Sequence, residues 1–99
     1  MQTEYLIALD EFCANHHIEI SFISSLQQTG LIEIKRVKET GYIDAGQLHQ
    51  LEKFIRLYYE LDINLEGIET ISYLLERIKS LQEENIKLKN KLRLYETEL

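Results

Sequence analysis

Proline and tryptophan are absent from these 99 residues, and only four glycines (Gly30, Gly41, Gly46 and Gly67) interrupt the chain. Without proline nothing breaks a helix by removing its donor, so long helices are expected. Cysteine is limited to Cys13, which excludes an internal disulfide and makes a reducing cytoplasm the default compartment. No apolar run approaches the roughly 18 residues of a membrane span, and Met1-Gln2-Thr3-Glu4 lacks the basic start of a secretion signal. Positive charge is scarce and unevenly placed. Residues 1–34 hold Glu4, Asp10, Glu11, Glu19 and Glu33 but no Lys or Arg. The first cations are Lys35, Arg36 and Lys38, and the whole chain carries −6. A nucleic-acid binder draws its non-specific affinity from a basic face. An acidic one suits a positively charged protein partner or simply stays soluble.

The hydrophobic spacing predicts a mainly α fold. Leu6, Leu9, Phe12 and Cys13 share one face of a first helix over 3–16, ending at Asn15-His16-His17. A second helix runs from Ile18 to Thr29, with Ile20, Ile23 and Leu26 on one side and Phe22 beside them, and Gly30 fits the position just past its end. Two short helices joined tightly suggest helix-turn-helix. Leu31-Ile32-Glu33-Ile34-Lys35 partly alternates, Val37–Thr40 with Gly41 forms a turn, and Tyr42-Ile43 returns as the second strand of a small wing. Asp44 and Gln47 have the spacing of a capping box. The third helix turns Leu48, Leu51, Phe54, Ile55, Tyr58 and Leu61 toward the core. Asp62-Ile63-Asn64 breaks it, and Asn64 caps a fourth helix. Tyr42, Phe54, Tyr58, Tyr59 and Tyr73 read as core between the third helix and the wing, with room for one exposed tyrosine as an interface anchor.

Nothing stops the fourth helix before Leu99, a run of 35 residues, or about 52 Å. The expected organisation is a winged helix-turn-helix over 1–62 and a dimerisation helix over 63–99. In that helix Ile71, Ile78, Asn85, Leu92 and Leu99 fall at position a of a heptad, and Leu74, Leu81, Leu88 and Tyr95 at d. Four unbroken heptads predict a coiled-coil homodimer. Parallel pairing sets Glu84 against Lys89 and Lys91 against Glu96; antiparallel pairing sets Arg77 against Glu98 and Glu84 against Lys91. Charge leaves the direction open, and Asn85 leans toward parallel because two facing amides can pair.

Catalytic motifs are missing. There is no Gly-rich phosphate loop, nucleophile elbow or His-Glu-x-x-His pair. Cys13, His16 and His17 leave a zinc site short of ligands, since His49 is the one other nitrogen donor of that type. No metal, cofactor or enzymatic activity is expected, and Cys13 reads as a small core residue.

Gly30-Leu31-Ile32, Gly41-Tyr42, Gln47-Leu48-His49-Gln50-Leu51 and Leu61-Asp62-Ile63-Asn64-Leu65-Glu66-Gly67-Ile68 resemble the MerR-type winged helix-turn-helix, whose members dimerise through a long terminal helix. That resemblance implies, as an alternative function, a DNA-binding transcriptional regulator. The pattern departs where DNA would be touched. MerR-type recognition helices carry arginines before the Gly-Leu step, and Ser21, Ser24 and Gln28 stand there. Arginine brings phosphate charge and bidentate base contacts that these residues lack, which argues against sequence-specific DNA binding.

Within that superfamily, Arg56-Leu57-Tyr58-Tyr59-Glu60-Leu61-Asp62-Ile63-Asn64-Leu65-Glu66-Gly67-Ile68, then Leu74-Leu75 and Ile78, with Glu11-Phe12-Cys13 and Gly30-Leu31-Ile32-Glu33, resemble the chaperone-modulator (CbpM-like) family. The resemblance implies a small cytoplasmic adaptor. Such an adaptor binds the J domain of a DnaJ/CbpA-type co-chaperone and inhibits its stimulation of a DnaK-type chaperone. The J domain presents a basic helix, so the expected contact surface is the acidic elbow between the third and fourth helices: Glu60, Asp62, Glu66 and Glu69, with Glu52 and Arg56 nearby. Acids at a helix N-terminus are also favoured by the dipole alone.

Overall fold

The computed structural model describes residues 5–98. Glu4 and Leu99, each given a place by the sequence pattern, lie outside them. The chain forms β1 (Leu6–Ala8), α1 (Leu9–His16), α2 (Ile20–Gln28), β2 (Lys35–Val37), β3 (Thr40–Asp44), a 3-10 turn (Ala45–Gln47), α3 (Leu48–Ile55), a π turn (Arg56–Glu60) and α4 (Leu65–Glu98). Packing divides it into two units, Met1–Glu69 and Thr70–Leu99.

Residues 6–8 are extended, not helical, and Leu6, Ile7 and Ala8 pair antiparallel with Asp44, Ile43 and Tyr42. Leu6 and Leu9 are three residues apart, a spacing helices favour, but three cross-strand pairs decide otherwise. The wing is thus the β2–β3 part of a three-stranded sheet ordered β1-β3-β2. Its turn also differs from expectation. Val37 pairs with Thr40, so the turn is the two residues Lys38 and Glu39, both left-handed at φ 51° and 69°. That is the turn conformation whose twist matches a hairpin. Gly41 lies within β3, opposite Arg36, and β2 begins at Lys35, four residues later than Leu31.

The helix-turn-helix follows from local chemistry. His17 is left-handed (φ 55°) and its N–H bonds the Cys13 carbonyl, ending α1. α2 ends in a Schellman motif. Gly30, at φ 81°, donates to the Gln27 carbonyl at 3.0 Å and Leu31 donates to Leu26 at 3.0 Å, which needs a residue free to adopt positive φ.

The core of the first unit gathers Leu9, Phe12 and Cys13 from α1, Ile18, then Phe22, Ile23 and Leu26 from α2, Ile32, Ile43, Leu51 and Phe54 from α3, and Ile68 from the start of α4. Burying each large side chain fully stabilises the fold by about 1.5–3 kcal/mol. Ile20, expected inside, is 48% exposed, and Leu61 is 60% exposed. Asp44 accepts from the Gly46 N–H at 3.2 Å, but Gln47 does not complete a capping box; it reaches across to Glu33. Asn64 does cap α4, accepting from the Gly67 N–H at 2.8 Å.

Candidate partner-binding surface

The surface between α3 and α4 is shaped by the π turn. Leu61 N–H bonds the Arg56 carbonyl at 3.2 Å and Ile63 N–H bonds Leu57 at 3.0 Å. Each bond spans more residues than an α-helical one, so the segment widens and the periodicity of α3 shifts. Such turns recur at functional sites. Phe54 stays in the core at 2% exposure, while Tyr58, four residues on and expected on the same face, is 39% exposed. Asp62 then takes a left-handed conformation (φ 54°) that ends the helix.

Tyr58 and Tyr59 do not pack against the wing, as the sequence suggested. They turn to α2. The Tyr58 ring stacks on Phe22 with centroids 4.3 Å apart and planes at 27°. Tyr59 stands edge-on to both, 5.6 Å from Phe22 and 5.1 Å from Tyr58. Its hydroxyl accepts the Glu19 N–H at 3.1 Å, supplying a partner for a backbone donor at the start of α2 where no side-chain cap exists. Sequence reasoning missed the roles of Phe22 and Glu19. The signal was the adjacent tyrosine pair, whose orientation depends on a π turn that no local pattern announces.

All six elbow residues, Glu52, Arg56, Glu60, Asp62, Glu66 and Glu69, are exposed. Glu52, Arg56 and Glu60 line a groove of about 340 Å³ with Phe12, His16, Ile18 and Ile55. Phe12 and His16 pack ring to ring at 4.4 Å. Arg56 Nε lies 3.7 Å from Glu60 Oε2, an exposed i,i+4 pair that stabilises by about 0.5 kcal/mol at most. Asp62 lines a different groove of about 370 Å³ with Tyr58, Tyr59, Ile63 and Asn64. Glu66 and Glu69 line neither of these grooves, and Glu66 sits in the first turn of α4, where the helix dipole favours it.

The α2 surface carries no cation. Ser21 donates to Glu19 Oε2 at 3.3 Å and Ser25 to the Ser21 carbonyl at 3.0 Å, while Gln27 and Gln28 face solvent. Up to residue 52 the Lys and Arg side chains are all in the wing, at Lys35, Arg36 and Lys38, and Arg36 and Lys38 are exposed. On α4, Leu74, Ile78, Leu81, Asn85, Leu88, Leu92 and Tyr95 are exposed and Ile71 is half-buried, so the heptad stripe stands open to solvent in the single chain.

Cys13 is buried, and burial, reinforced by the charge of Asp10, pushes its thiol pKa up. Among the described residues no three His, Cys, Asp or Glu side chains come together as a metal site, and no helix is long and apolar enough to cross a membrane.

This combination of short helix pair, β2–β3 wing in a three-stranded sheet and long terminal helix is a MerR-like winged helix-turn-helix. The model of the MerR HTH family regulatory proteins matches residues 7–90, and the chain belongs to that family. No curated protein and no solved structure matches it.

Proposed function

We propose that this chain is a non-enzymatic, cytoplasmic chaperone modulator that works as a homodimer. It binds the J domain of a DnaJ/CbpA-type co-chaperone and so inhibits the stimulation of a DnaK-type chaperone. One observation carries the reading: α2, the helix that would enter a DNA groove, shows solvent only serine, glutamine, Ile20 and acid-flanked backbone, and no Lys or Arg precedes residue 35. A helix without guanidinium groups has neither the charge to replace counterions nor the reach to read bases. The net charge of −6 favours encounter with a basic surface. Resemblance to the chaperone-modulator family supplies the partner's identity, and the open α4 stripe supplies the dimer.

The second reading is a MerR-type DNA-binding regulator. The family match and the wing cations Lys35, Arg36 and Lys38 favour it. Titration of the purified chain against the J domain of the same cell's co-chaperone separates the two. Binding that weakens with added salt supports the modulator. No binding at low salt, together with tight and selective protection of a promoter in footprinting, replaces it with the regulator.

A further inference from the structure

The two tyrosines of the π turn pack on Phe22 of α2, and Glu19 and Asp62 each line a groove beside them. Tyr59 lies beside the Phe22–Tyr58 stack rather than over it, because its centroid is 5.6 Å from Phe22 and 5.1 Å from Tyr58 while those two are 4.3 Å apart. Phe22 therefore holds one face of Tyr58, and both tyrosines keep 39% of their surface in solvent. Tyr58 lines two grooves. One, of about 370 Å³, is lined by Tyr58, Tyr59 and Asp62. The other, of about 120 Å³, is lined by Glu19, Ser21, Phe22, Ser25, Tyr58 and Leu65. An exposed, backed aromatic ring with a carboxylate residue in each groove it lines is the chemistry that takes a cationic side chain. The ring face attracts the cation, and a carboxylate accepts its hydrogen bonds. A flat guanidinium suits this better than an ammonium, since it stacks on the ring and bonds a carboxylate with a fixed fork. Tyr59, bonded to the Glu19 backbone at 3.1 Å, fixes the π turn on α2 before any partner arrives, which lowers the ordering cost of binding.

We propose that Tyr58 and Tyr59, with Glu19 and Asp62, form the anchor for an arginine side chain of a basic protein segment. The anchor rests on the modulator reading for its partner but not for its chemistry. It also shifts the contact from the outer acids of the elbow to the seam between the π turn and α2.

The test uses the full chain and two probes: the J domain, and a synthetic helical peptide bearing arginines at i and i+4, with a lysine twin. Wild type is expected to bind the J domain and to prefer the arginine peptide over the lysine twin. Tyr58→Leu, Asp62→Asn and Glu19→Gln are each expected to weaken binding about 10-fold or more, a size typical of an interface anchor. Tyr58→Phe, which keeps the ring, stays within about 3-fold. Asparagine tolerates the left-handed backbone of Asp62, so Asp62→Asn keeps the test valid should Tyr58→Leu fail to fold. J-domain binding that ignores Tyr58→Leu and Asp62→Asn overturns the anchor and leaves the modulator reading standing. Arginine-peptide binding that needs Tyr58, without any J-domain binding, does the reverse. Binding of neither probe removes both.

Discussion

Gln47 clamps Glu33. The Glu33 N–H donates to Gln47 Oε1 at 2.8 Å, and Gln47 Nε2 donates back to the Glu33 carbonyl at 2.8 Å. One side-chain amide thus satisfies both backbone groups of a residue in the irregular segment between α2 and β2, as a neighbouring strand would. Gln47→Ala removes both bonds and is expected to destabilise the fold by about 1–2 kcal/mol, with partial exposure setting the low end. Gln47→Glu keeps the acceptor but loses the donor, and its charge faces a carbonyl, so it recovers little. Urea unfolding midpoints check both variants.

Gly30 and Gly67 are needed for different reasons. A Cβ on Gly30 meets nothing within 4 Å, so Gly30→Ala carries only the penalty of its φ of 81°, about 1 kcal/mol. On Gly67 a Cβ falls 2.7 Å from Ile63 Cγ2 and 3.1 Å from the capping Asn64 Oδ1. Alanine's better helix propensity returns about 1 kcal/mol, against about 1–3 for the crowding, so a net loss near 1 kcal/mol is expected. Asparagine separates the causes. Gly30→Asn recovers part of the loss because asparagine enters left-handed space readily, whereas Gly67→Asn unfolds at lower urea than Gly67→Ala.

The Cys13 thiol is shielded. Burial first and Asp10 second raise its pKa above the usual 9.0. A folded-state pKa above the unfolded one gives stability that is complete below the unfolded value and is lost as pH rises through the folded one. The chain should therefore unfold more readily at pH 10 than at pH 8, and Cys13→Ser should flatten that dependence. Labelling with a thiol reagent at pH 8 should be slow in the folded chain and accelerate as urea populates the open state.

Leu81 is 47% exposed in the single chain, so aspartate there costs the isolated helix little. In a coiled coil the same change buries two charges at d. Leu81→Asp is expected to weaken self-association roughly 100-fold or more, giving monomers in sedimentation with helicity largely retained at high concentration. Persistent dimers would place the seam on another face.

Long-period features were legible in the sequence. The four heptads gave α4, Gly30 gave the end of α2, and Asn64 gave the cap that the Gly67 N–H confirms at 2.8 Å. Features decided by pairing across the chain were not. Leu6–Ala8 carries a helical spacing and becomes a strand because β3 is available to it. Gln47 has the spacing of a capping box, yet Glu33 offers it two bonds. The candidate site suffered most, since a π turn shifts every later side chain around the helix axis without any residue type that marks it. Tyr58, at a core spacing from Phe54, is therefore 39% exposed, and Glu60 and Asp62, two residues apart, line different grooves.

DNA affinity offers the sharpest contrast between the fold and its surface. The wing supplies at most three cations per protomer, Lys35, Arg36 and Lys38, and α2 supplies none. Each phosphate neutralised contributes about −0.9 to the slope of log affinity against log salt, so duplex binding through the wing alone should show a slope no steeper than about −2.7 per protomer. Placing arginine at Ser21, Ser24 and Gln28 doubles the three cations of the wing and α2 together. The triple variant should steepen the slope to about −5 per protomer if all three side chains reach phosphate, and tighten binding at low salt by orders of magnitude. Fluorescence anisotropy on one labelled duplex across a salt series reads both numbers. A wild-type slope already near −5 would mean that cations outside the wing grip DNA, and the uncharged α2 would then say nothing about what this chain binds.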